Sequence, residues 1–212
     1  MLVAIDQMVD ASKIIQENVP EILSLIAIAW GVQLVNMMLG YRLNIFGIIP
    51  RYLIGLPGIL FSSFLHGSLN HIFMNTIFFF VMACMVSVHG MAGFKIVSIS
   101  IILISGSLVW LLARRACHVG ASSLIMGYWS YVMVKAYFDP GAIDVIAAGV
   151  GMYYFGVDLL ASVAPGKRGV SVEGHIAGLV AGGITAAFFQ PVCAVITTVS
   201  AEFGWALSCI ML

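Results

Sequence analysis

Runs of about twenty mostly apolar residues, each ended by a short polar joint, repeat along this chain, and ~20 such residues are what an α-helix needs to cross a bilayer. The first run spans about Ile22 to Leu39. The others cover roughly Leu69 to Val88, Phe94 to Ala113, Val119 to Phe138, Ile143 to Val163 and Gly169 to Gln190. Between them stand His89-Gly90, Arg114-Arg115, Asp139-Pro140-Gly141 and Pro165-Gly166-Lys167-Arg168, the breakers and charges expected where helices leave lipid. With 62% hydrophobic and 8% charged residues, the chain lacks the polar surface a soluble domain of this size needs. The expected fold is all-α, a polytopic membrane bundle of six helices.

Three segments fall outside this pattern. Residues 1–21 carry Asp6, Asp10, Lys13, Glu17 and Glu21, which is unlike a signal peptide and reads as an amphipathic or loose lead-in. From Tyr41 to Leu60, Arg42, Arg51, Pro50, Pro57 and several glycines interrupt apolar residues, and this mixture suits an element lying at the membrane interface. Residues 191–212, after Pro191, are again apolar and read as a seventh span or an interfacial helix. One domain, residues 22–190, fills the rest. A net charge of zero without a basic cluster argues against nucleic acid. Cys84, Cys117, Cys193 and Cys209 lack metal-ligand spacing and read as apolar fillers.

Polar groups inside spans are expensive and mark interior contacts or chemistry. Most collect in three places: FLHGSLNHIFMN entering the second span, VGASSLIMG at the start of the fourth, and GHIAGLVAGG on the sixth. His71 and Asn75, four residues apart, share a helix face, and His66 marks the turn before it. Such a cluster alone would serve equally to bridge neighbouring helices. On the sixth span Gly174, Gly178 and Gly182 form a smooth strip that brings another helix close, with His175 beside it. By itself this histidine is better explained as a packing bystander, and a serine near Gly120 is by default a small packing residue. Together they supply what serine hydrolysis requires: a nucleophile (Ser122), a base (His175) and donors for an oxyanion.

In their order and placement these residues resemble the rhomboid family of intramembrane serine proteases. His66, His71 and Asn75 match the family's two histidines and asparagine around the second helix. Gly120-Ala121-Ser122 matches its GxS motif, and His175-Ile176-Ala177-Gly178 the histidine before small residues on the sixth helix. The broken segment from Tyr41 to Leu60 is similar to the family's interfacial first loop, and the resemblance spans about residues 22–190. It implies a serine endopeptidase with a Ser122–His175 dyad. It further implies an oxyanion site made by the His71 and Asn75 side chains and the Ser122 backbone N–H, with His66 holding the first loop. No metal or organic cofactor is implied.

Some positions depart from the family pattern. Ser123 stands where many members have glycine, but its spacing from Gly120 is wrong for GxS. Met126 replaces an aromatic ring that often packs on the catalytic histidine, and the tryptophan-arginine pair of the first loop is missing, leaving Arg51 after Pro50. Asp158 invites a triad, yet the resemblance implies a dyad and leaves this carboxylate a structural role. Glu173 points away from the face of His175, toward water. The family's orientation, with the N-terminus inside, puts three basic residues (Lys13, Lys95, Lys135) inside and six (Arg42, Arg51, Arg114, Arg115, Lys167, Arg168) outside, against the positive-inside tendency. The family orientation is preferred because Arg42 and Arg51 lie in an interfacial insertion.

The expected substrates are single-span membrane proteins whose helices unwind readily, and the expected setting is a bacterial cytoplasmic membrane. A client-binding pseudoenzyme is the alternative. A transporter fits less well, since the chain has no internal repeat.

Overall fold

A computed structural model describes the backbone of residues 2–162 and 171–202, and the side chains of residues 6–157, 159–162 and 171–188. The joint at Pro165-Gly166-Lys167-Arg168, the side chain of Asp158 and residues 203–212 lie outside the described residues. The long helices are α1 (Leu2–Met38), α3 (Leu69–Val86), α4 (Met91–Leu112), α5 (Ser122–Phe138), α6 (Ala142–Ser162) and α7 (Val172–Glu202), with the short α2 (Gly58–Phe61) between the first two. No strand occurs among the described residues, where one isolated bridge joins Ile48 to His118. By length and composition α1, α3 and α4 can each cross a membrane, while α6 and α7 hold shorter apolar stretches. The molecule is an all-helical membrane bundle.

Two helices run further than the apolar pattern suggests. Residues 2–21 form the first half of α1, which passes through Pro20. Proline removes one intrahelical hydrogen bond without ending the helix here, and this stretch is tethered to the bundle by the buried Asn18, whose Nδ2 donates to the Ser87 carbonyl at 3.0 Å. At the other end α7 continues beyond Pro191 to Glu202, so the sixth apolar run and the start of the segment after it share one helix.

Between α1 and α3 the chain makes 3-10 turns at Arg42–Phe46, Leu53–Gly55 and Ser62–Phe64, around α2. Ile45, Phe46, Leu53, Ile54, Leu60 and Phe61 are exposed, an apolar outer face that suits an element set in the membrane interface. The segment is stitched inward through polar backbone. Arg51 N–H donates to the Trp110 carbonyl (3.0 Å), Arg51 Nη1 to the Leu111 carbonyl (3.1 Å), and Trp110 Nε1 to the Tyr52 carbonyl (3.0 Å).

At the centre is α5, whose residues 124–132 are buried throughout, Tyr128 completely. A helix surrounded by helices needs no lipid-facing stripe, which is why α5 carries serines, tyrosines and a lysine that a lipid-exposed span would exclude. Against it α7 packs at backbone contact: a methyl group on Gly178 would collide with the Ser123 carbonyl, and one on Gly182 with the Gly127 carbonyl. Gly174, the third glycine of the strip, instead faces Ser171, the residue just before its own helix. At the opposite end of the bundle from Ser122, buried Lys135 and Asp144 pair at 3.2 Å, and His89 Nε2 lies 2.8 Å from the same carboxylate oxygen.

Candidate active site

The site is built where the loop after α4 turns into α5. Gly120 sits at φ +118°, a backbone conformation costly for any residue with a Cβ, and its N–H donates to the Ser62 carbonyl at 2.9 Å. Space forbids a side chain as well: a methyl there would lie 2.7 Å from His71 Cε1, 2.8 Å from His71 Nε2 and 3.4 Å from Asn75 Nδ2. Two residues on, Ser122 opens α5. The first N–H groups of a helix have no intrahelical acceptor, so the backbone around Ser122 offers donors with a favourable dipole for negative charge.

One cavity of about 580 Å³ is lined by Ser122, His175, His71 and Asn75, together with Met126, His118, Arg114, Cys117 and Ser162. Ser123 does not line it; its carbonyl is the surface on which Gly178 packs. His175, in the first turns of α7, is buried and its Nδ1 is 3.1 Å from the Ser162 carbonyl at the end of α6. A carbonyl only accepts, so Nδ1 carries a proton, and in the neutral ring Nε2 is then the basic nitrogen. Asn75 is buried too, and its Nδ2 has no hydrogen-bond acceptor among the described residues. An orphaned buried amide donor costs about 1–3 kcal/mol and calls for a reason.

His66 lies behind this group rather than in it. Its buried ring meets that of His71 edge-on, centroids 5.1 Å apart, and lines a separate apolar cavity beneath Asn75. Its carbonyl is 3.5 Å from Asn36 Nδ2, a tie between the first loop and α1. Outside the spanning helices, in the turn before α3, His66 has its pKa held down at about 4, by burial first and by the neighbouring His71 second.

Met126 is buried, with its sulfur 3.8 Å from Ser162 Oγ, and Glu173 pairs with Arg114 at 3.5 Å near the cavity mouth. Ser162 and His118 have no place in the sequence reading. Ser162 acts through its main-chain carbonyl, which no side-chain pattern reveals. His118 falls in a joint between apolar runs, where a histidine is ordinary in sequence and draws no notice.

A model of the rhomboid domain matches residues 54–191 of this chain. The chain belongs to the rhomboid family. The rhomboid match includes His66, His71, Asn75, Gly120, Ser122 and His175. An uncharacterized protein of Mycobacterium tuberculosis strain H37Rv is 31% identical over 173 residues, covering 78% of this chain and 72% of that protein. An uncharacterized protein of Mycobacterium leprae is 29% identical over 172 residues, covering 78% of this chain and 68% of its own length.

Proposed function

We propose that this rhomboid protein is an intramembrane serine endopeptidase with Ser122 as nucleophile and His175 as general base. The observation that carries the reading is the common cavity. A serine at a helix start, a histidine whose Nδ1 is committed to a carbonyl, and the orphaned Asn75 donor all face one space.

In the proposed reaction Ser122 Oγ attacks the scissile carbonyl carbon while its proton passes to His175 Nε2. Negative charge develops on the carbonyl oxygen and is met by the Ser122 N–H, Asn75 Nδ2 and the Nε2 edge of His71. Collapse of this intermediate breaks the C–N bond, and the leaving amine takes the proton from His175. Water then gives a proton to His175, attacks the acyl ester, and releases the second product with Ser122 restored. The Ser162 carbonyl fixes the His175 tautomer throughout, the orienting role that an acid fills in a triad.

The substrates we propose are single-span membrane proteins with helix-loosening glycine or proline near the active-site end, because a hydrogen-bonded helix withholds its carbonyls from a nucleophile. The proposed setting is a bacterial cytoplasmic membrane. Labelling with a fluorophosphonate, followed by peptide mass mapping, tests the nucleophile. The adduct is expected on Ser122 and to vanish in His175→Ala; an adduct on Ser123, or none on a folded protein, contradicts the assignment and favours a client-binding pseudoenzyme.

A further inference from the structure

We infer that His118 is a positioning residue, the strap that holds the loop delivering Ser122 in register with the helix delivering His175. This rests on the protease reading of the cavity. The two dyad residues come from different helices, and a misplacement of ~1 Å can cost about 100-fold in rate. The first turn of α7 therefore has to be tied to the residue 113–121 loop by something more directional than packing.

His118 supplies that tie with both ring nitrogens. Nε2 is 3.0 Å from the Arg114 carbonyl and Nδ1 is 2.7 Å from Ser171 Oγ. Because the carbonyl can only accept, Nε2 carries a hydrogen, and in the neutral ring Nδ1 then accepts from the Ser171 hydroxyl. Ser171 Oγ in turn accepts from the Gly174 N–H at 3.1 Å, which caps α7 one residue before His175. Every donor and acceptor in this chain is matched, so the ring is committed to the tie and is not a second base for Ser122. The loop end is equally fixed, since His118 N–H and C=O pair with Ile48 at 2.9 and 3.0 Å. His118 is only 7% exposed, which shields these bonds from water. The parallel Arg114–Glu173 pair is far more exposed and contributes little by comparison.

The test uses the full-length protein in liposomes with a single-span reporter, comparing His118→Ala, His118→Asn, His118→Gln, Ser171→Ala and the His118→Ala/Ser171→Ala double variant. Asparagine places an acceptor near the position of Nδ1, whereas glutamine replaces only the donor to Arg114. We expect His118→Ala to lower kcat by about tenfold or more with KM changed by less than about twofold. His118→Asn should restore most of kcat and His118→Gln should not, and the double variant should fall no further than the worse single one. Hydrogen exchange at residues 172–175 should quicken in His118→Ala and not in His118→Asn. An unchanged kcat in folded His118→Ala, rescue by glutamine instead of asparagine, or additive losses would overturn the strap. If Ser122→Ala cleaves like the unmodified protein, the protease reading fails, and the exchange comparison then decides on the strap alone: unchanged exchange in His118→Ala overturns it.

Discussion

Gly120 joins the two halves of the proposed oxyanion site, because its missing side chain leaves room for His71 while its φ of +118° aims Ser122 into the cavity. Gly120→Ala meets both restrictions at once. Cleavage should fall by at least ~100-fold, measured with a reporter in liposomes, as His71 and the loop are displaced. Asn75→Ala separates chemistry from folding: kcat should drop roughly 100-fold, the usual consequence of losing one oxyanion donor. Its thermal midpoint should hold or rise, since the variant removes an unsatisfied buried amide. A fall in both activity and stability would mark Asn75 as a structural bridge. Ser122, His71, Asn75 and His175 were legible in the sequence because each is a polar group at or inside an apolar run, where it has to be explained. His118 and Ser162 were not legible, since their parts depend on a contact across helices and on a main-chain atom.

Among the elements, α5 and α7 are held at backbone distance by Gly178 and Gly182, and both glycines stood out as a four-residue strip in the sequence. Gly182→Val would press a branched side chain into the Gly127 carbonyl and should destabilise the protein by at least about 2 kcal/mol, read from thermal unfolding in detergent. At the far end, α6 begins beside the Lys135–Asp144–His89 group, whose lysine and aspartate are buried. Asp144→Ala leaves Lys135 buried with only the more distant, exposed Asp139 carboxylate at 3.4 Å, and should cost about 3 kcal/mol. That cluster was hidden in the sequence, its members lying in three separate joints or helix ends. The positions of the long helices were legible from hydropathy and the polar joints between the apolar runs. The full length of α1 and the run of α7 past Pro191 were not, because proline and scattered charge read as breaks whereas tertiary contacts such as Asn18–Ser87 can carry a helix through them.

For the whole molecule, the all-helical membrane bundle and the rhomboid family follow from features that span the chain, and acid sensitivity is a property at the same scale. His66 titrates at about 4 in the fold against about 6.5 in an unfolded chain, so the unfolded state binds more protons between these values. Stability should therefore decline as pH drops below about 6.5 and go on declining until about 4, and His66→Phe should flatten this part of the thermal-midpoint profile. A profile unchanged by the substitution would assign the acid sensitivity to other groups. The protease reading itself is tested most directly by cleavage of a single-span reporter in reconstituted membranes by the unmodified protein, Ser122→Ala, Ser123→Ala and His175→Ala. The account predicts that cleavage is lost with Ser122→Ala and His175→Ala and kept with Ser123→Ala; cleavage that survives Ser122→Ala would contradict it.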